Sequence, residues 1–157
     1  MISSFIRAHG YTPGPTQRPV VAGTLSGFIA LVPALMIASI HRVLSSAAIS
    51  LGGTESLIRL GYAALLVAAG ALYGWIFMRA ANDRRGGWLF GIAYGFLVWA
   101  LGPSTFALWI TGRPLTTGIA AQLLLVAYLA YGLSLGIVYP HVGAFVRKRE
   151  LAASRKL

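Results

Sequence analysis

Four long stretches of this chain, residues 20–40, 60–78, 88–110 and 115–139, contain no Asp, Glu, Lys or Arg at all. No other feature restricts the fold as much. A helix rising about 1.5 Å per residue needs roughly 20 apolar residues to cross the hydrocarbon core of a bilayer, and each stretch has that length. In lipid every backbone N–H and C=O must be paired, so a spanning segment is either a helix or part of a closed barrel. Barrel strands of about ten alternating residues are not the pattern here. The expected fold is all-α: a polytopic membrane protein built as an antiparallel four-transmembrane-helix bundle. Its spans are expected at about 20–42, 59–79, 87–110 and 115–139. The chain reads as one domain over 1–157, with an N-terminal linker at 1–19 and a basic C-terminal tail at 141–157.

Charge sets the orientation. Of 157 residues, 57% are hydrophobic and only 10% charged, yet the net charge is +10. With the N-terminus inside, one side of the membrane carries Arg7, Arg18, Arg79, Arg84, Arg85, Arg147, Lys148, Arg149, Arg155 and Lys156. The other side carries Arg42, Arg59 and Arg113. Lys and Arg accumulate in cytoplasmic loops, so the expectation is N-in/C-in. The positive charge therefore follows topology and does not signal nucleic acid. Residues 20–40 also exceed a secretory h-region of about 7–15 residues and read as a retained span.

Proline and glycine punctuate the rest. Pro13, Pro15 and Pro19 make Tyr11–Pro19 an extended linker. Before it, Ile2, Phe5 and Ile6 have the spacing of a short interfacial helix. Pro33 lies inside the first span and Gly102-Pro103 inside the third, where each proline leaves a carbonyl without its helical donor. The fourth helix is expected to run to about Tyr139, where Pro140 either ends or kinks it, and Val142, Phe145 and Val146 keep a helical apolar stripe that would run into the basic tail.

Small-residue spacing is the clearest motif. Gly23/Gly27, Gly70/Gly74, Gly87/Gly91/Gly95 and Gly132/Gly136 are all Gly-xxx-Gly. Glycine at every fourth position lets two helix backbones approach closely, so van der Waals contact and Cα–H···O bonds favour association in lipid. Either the stripes pack the bundle internally, or one of them, on the third helix, binds a second copy or a partner helix. Tyr73-Gly74, Tyr94-Gly95 and Tyr131-Gly132 repeat an aromatic-glycine pair, an echo compatible with an old duplication of a helix pair.

The polar residues within the spans are few. Trp88, Trp109, Tyr62 and Tyr139 lie near the expected boundaries and read as interfacial anchors. Trp99, Gln122, Tyr128, Tyr131 and Ser134 lie deeper and could form a small intramembrane polar pocket, or simply hold helices together by hydrogen bonds. Arg147, Lys148 and Arg149 form a juxtamembrane cluster suited to lipid headgroups. The acids are Glu55, Asp83 and Glu150, all outside the spans. An ion-coupled carrier ordinarily needs an ionisable group within the membrane, and no cysteine is present for thiol or metal chemistry. His41 and His141 fall at opposite ends of the bundle and cannot share a haem iron. No catalytic residue, metal or cofactor is expected.

GFIALVPALMIASI, GALYGWIF, GIAYGFLVWALGP and LVAYLAYGLSLGIVYPHV together resemble the YagU-like group of small bacterial inner-membrane proteins, a group defined as a domain of unknown function. The resemblance covers about residues 20–141 and includes the Tyr-Gly-x-x-x-Gly core of the final helix, here Tyr131-Gly132 to Gly136. The His that the group usually places shortly before that core is replaced by Leu125-Val126-Ala127-Tyr128. The resemblance implies four helices in a bacterial inner (cytoplasmic) membrane and brings no chemistry to carry over.

The expected function is non-enzymatic: an accessory subunit of a membrane complex or a self-associating scaffold. Its partners would be membrane lipids and either another membrane protein or itself. The alternative is a small homo-oligomeric channel or carrier for a neutral or weakly polar solute.

Overall fold

The structure is a computed structural model, and it describes residues 18–40, 43–45, 47, 54–77, 86–105, 108–109, 112 and 118–154. All the secondary structure among them is helical: α1 (Pro19–Ser39), α2 (Glu55–Ile76), α3 (Gly87–Trp99) and α4 (Gly118–Ser154). The linker and interfacial helix expected within 1–17, the turn at 78–85 and most of the 106–117 connection lie outside the described residues.

Pro19 occupies the first turn of α1, where its missing N–H costs nothing. The helix then runs unbroken through Pro33. Ser26 and Thr24 return their hydroxyls to the carbonyls one turn back, Ala22 at 2.7 Å and Val20 at 2.8 Å. A polar side chain in lipid is thereby satisfied within its own helix. At the start of α2, Glu55 pairs with Arg59 one turn on and accepts from the Ser45 hydroxyl at 2.7 Å, tying the helical residues 43–45 to α2.

The third apolar segment behaves as its Gly-Pro pair predicts. After Trp99 the chain widens into a π turn, Ala100–Ser104, and Gly102 leaves helical geometry (φ −86°, ψ −109°). Proline disfavours the α conformation in the residue before it, so the break falls one residue ahead of Pro103. The Thr105 hydroxyl caps the Ala100 carbonyl across the widened turn. The consequence is length. Pro19–Ser39, Glu55–Ile76 and Gly118–Ala152 are each long and apolar enough to cross a membrane, whereas Gly87–Gly102 is a shorter apolar helix.

Of the two outcomes open at Pro140, the fourth helix takes continuation. It does not end at Tyr139: α4 passes through Pro140 and continues to Ser154, 37 residues in all. Residues 141–154 of the expected tail are helix. Pro140 removes only its own N–H, and Val142 and Val146 remain packed against the core, which favours keeping the helix over ending it.

Two antiparallel hairpins make the body. α1 packs on α2, α3 packs on α4, and α1 against α4 joins the two pairs. The buried interior comprises small residues of α1 (Ala22, Ala30, Ala34, Ala38), Leu66 and Leu135, and six tyrosines. The large apolar side chains Phe28, Met36, Leu60, Trp75 and Trp109 point outward. This inversion, with large residues outside and small or polar ones inside, is how a helix bundle presents itself to lipid.

Candidate functional site

The glycines form two zippers of one design. On α1 and α2, Gly23 faces Gly74 and Gly27 faces Gly70: a Cβ added at Gly70 would fall 2.6 Å from the Gly27 Cα, and one at Gly74 2.9 Å from the Gly23 Cα. On α3 and α4, Gly91 faces Gly136 and Gly95 faces Gly132; the corresponding distances are 2.8 Å from Gly91 to the Gly136 Cα and 2.9 Å from Gly132 to the Gly95 Cα. Gly87 continues the second zipper, its carbonyl lying against Gly136. At such distances no side chain fits. The α3 stripe is packed within the chain against α4, the first of the two roles its spacing allows, and backbone fills the groove between them.

The hairpins meet in a layer of tyrosines. The Tyr131 hydroxyl on α4 donates to the Leu66 carbonyl on α2 at 2.6 Å, and the Tyr94 hydroxyl on α3 donates to the Ala69 carbonyl at 2.6 Å. Two longer bonds follow, Tyr139 to the Gly74 carbonyl at 3.4 Å and Tyr73 to the Gly87 carbonyl at 3.5 Å. A helical carbonyl has a second lone pair, and beside Gly70 and Gly74 no side chain covers it. The zipper glycines thus serve twice, bringing helices together and exposing acceptors. Rings stack around these bonds: Tyr73 with Tyr94 (5.1 Å between centroids), edge-on with Tyr139 (5.6 Å), and Phe77 edge-on with Tyr94 (5.8 Å). Toward the other end Tyr62 meets Tyr128 edge-on at 5.6 Å. The Tyr62 hydroxyl is buried with no hydrogen-bond partner.

The expected polar pocket does not assemble. Tyr128 and Tyr131 are buried, but Gln122 on the same helix is exposed, Ser134 is only half-buried, and Trp99 is half-buried against Phe96 (5.7 Å). Gln122 lies on a different face of α4 from Tyr128 and Tyr131, a consequence of the 100° step between helical residues. Tyr62 and Tyr139 are likewise not interfacial anchors, since both are in the interior layer; Trp88 and Trp109 do point outward. Tyr73, Tyr94 and Tyr139 were not singled out as interior hydrogen-bonding residues. The signal for two of them was present in the Tyr-Gly pairs: a residue next to a zipper glycine faces the groove adjoining the zipper.

The basic cluster sits on the extension of α4. Lys148 and Arg149 are exposed and Arg147 is half-buried. The Arg149 guanidinium lies over the Phe145 ring, 4.8 Å from its centroid. His141, also exposed, places Nδ1 2.9 Å from the Ile137 carbonyl. That nitrogen donates, since a carbonyl oxygen can only accept. Among the described residues no three His, Cys, Asp or Glu side chains gather as a metal site would require. Compared with known protein families, with curated proteins and with solved structures, the chain finds no match.

Proposed function

We propose that the chain is a multi-pass protein of the bacterial inner membrane with four spans and both termini in the cytoplasm. In this reading α3 completes its crossing beyond the Gly102 break. It acts without catalysis, as an accessory subunit of a membrane complex or a scaffold that associates with itself, in keeping with its resemblance to the YagU-like group. One observation carries the reading. The interior hydroxyls of Tyr94 and Tyr131 donate to backbone carbonyls of α2, and the glycine faces close on each other. Interior polar groups serve the fold, which leaves the outer faces and the ends of the helices for recognition. Association would then use an outer apolar face, such as Leu25, Phe28, Val32 and Met36 on α1, and not the glycine stripes.

The test is crosslinking in cells followed by mild-detergent purification and mass spectrometry. A stoichiometric second protein supports the accessory-subunit role, and crosslinked copies of this chain support the scaffold. A chain recovered alone as a monomer overturns both.

A further inference from the structure

The exposed side of α4 carries a ridge of residues four apart: Leu133, Ile137, His141, Phe145 and Arg149. Successive side chains at this spacing are neighbours on a helix, and the ridge they form winds about 40° around the axis at each step. Along the ridge the chemistry changes in a fixed order, from aliphatic to imidazole to aromatic to cation. The change takes place where the described part of the bundle ends: Gly91 faces Gly136, so one turn further along each antiparallel helix Pro140 is level with Gly87, the first residue of α3.

The heights along this ridge match a bilayer leaflet. Phe145 is five residues past Pro140, about 7–8 Å at the helical rise. The polar layer of a bilayer is about 5–8 Å thick on each side. Arg149 starts further out, at about 13 Å, but its guanidinium folds back over the Phe145 ring and so returns the charge to the height of lipid phosphates. Lys148 is exposed beside it. Val142 and Val146, packed against the core on another side of the helix, hold this part of α4 upright.

We propose that this ridge binds an anionic phospholipid of the cytoplasmic leaflet. One acyl chain lies along Leu133 and Ile137, Phe145 sits at the interface, and Lys148 and Arg149 hold the phosphate. The leaflet assignment rests on the N-in/C-in reading above. An acidic soluble protein would also suit the charge, but it would not use an aliphatic ridge within the span or a guanidinium turned back toward the membrane.

The test uses the purified full-length protein in mild detergent with equimolar phosphatidylglycerol and phosphatidylcholine, counting retained lipids by native mass spectrometry. The wild type should retain phosphatidylglycerol preferentially. Lys148→Gln with Arg149→Gln should lower the phosphatidylglycerol-to-phosphatidylcholine ratio about tenfold, and Phe145→Ala should lower phosphatidylglycerol retention with no change in charge. The charge-matched pair Arg84→Gln with Arg85→Gln should leave the ratio within about twofold. An unchanged ratio in the Lys148/Arg149 variant, or an equal fall in the charge-matched pair, overturns the site. A photocrosslinker replacing Phe145 that captures protein in cells, with no lipid adduct, overturns it as well. If labelling places the C-terminus outside, the leaflet assignment fails while the lipid ratio still reads out the site.

Discussion

The Tyr131 hydroxyl lies at the crossing of two glycines: it donates to the Leu66 carbonyl at 2.6 Å, and a Cβ placed on Gly27 would come within 3.3 Å of its oxygen. One side chain of the second hairpin thus reaches into the glycine zipper of the first. The bond joins residues 65 positions apart in the chain and ties the two halves together at a place where no larger residue on α1 would admit it.

Tyr131→Phe keeps the ring and removes this bond. Interhelical hydrogen bonds in membranes average about 0.6 kcal/mol and reach about 1–2 kcal/mol, and a loss in that range is expected in reversible unfolding from mixed micelles. Tyr94→Phe should behave alike. Tyr62→Phe should be neutral or stabilising, because it removes a buried hydroxyl with no partner, a group that costs about 1–3 kcal/mol to bury unpaired. Equal losses at Tyr62 and Tyr131 would contradict this assignment of bonds.

Glycine substitutions should divide by position. Gly70→Ala puts a methyl group 2.6 Å from the Gly27 Cα, and Gly91→Ala puts one 2.8 Å from the Gly136 Cα. Forced overpacking costs about 1–3 kcal/mol. Gly61 has no atom within 4 Å of an added Cβ, so Gly61→Ala should gain about 0.5–1 kcal/mol from helix propensity. The same unfolding assay reads all three. Leu at Gly91 and Gly95 should lower the stability of the isolated monomer; a variant that changed only the oligomeric state would show that α3 uses its glycines between chains.

The absence of cysteine from the sequence makes the topology easy to measure. In the N-in/C-in arrangement, Thr54→Cys at the start of α2 should react with a membrane-impermeant maleimide in intact spheroplasts. Ala152→Cys on the α4 extension should react only after permeabilisation. The reverse pattern would invert the topology, and labelling of both in intact spheroplasts would mean an odd number of crossings.

The helical continuation of α4 beyond Pro140 should show as periodic accessibility. Single spin labels at each position from 141 to 152 should be least accessible at Gly143, with Val142 and Val146 next, and most accessible at Phe145, Lys148 and Ala152, with a period of about 3.6 residues. Uniformly high accessibility would mean that the segment is a tail after all.

Membrane helices were legible in the sequence because they depend on quantities that sum along the chain. Apolar length, missing charge and the cost of unpaired backbone in lipid mark the cores of the spans without reference to any neighbour. The Gly102 break was legible for a similar reason, since Gly-Pro is a local constraint. The ends were less so. Pro140 permits either termination or continuation, and the side chains of Val142 and Val146 contribute only once the rest of the core is in place. The candidate site divides in the same way: Arg147, Lys148 and Arg149 could be read directly, whereas the position of the Arg149 guanidinium over Phe145 depends on the helix continuing.

By itself, then, the sequence determined an all-helical membrane chain and the residues at which its helices can touch, because burial in lipid and glycine spacing act locally. Tertiary structure alone decided which glycines meet, that they meet within one chain, and that Tyr62 and Tyr139 face inward, not toward the interface. Those outcomes depend on the rotation of each helix about its axis. That rotation is set by contacts between residues far apart in the chain, Gly23 with Gly74, Gly91 with Gly136 and Tyr131 with Leu66, each of which forms only once two separate helices have met.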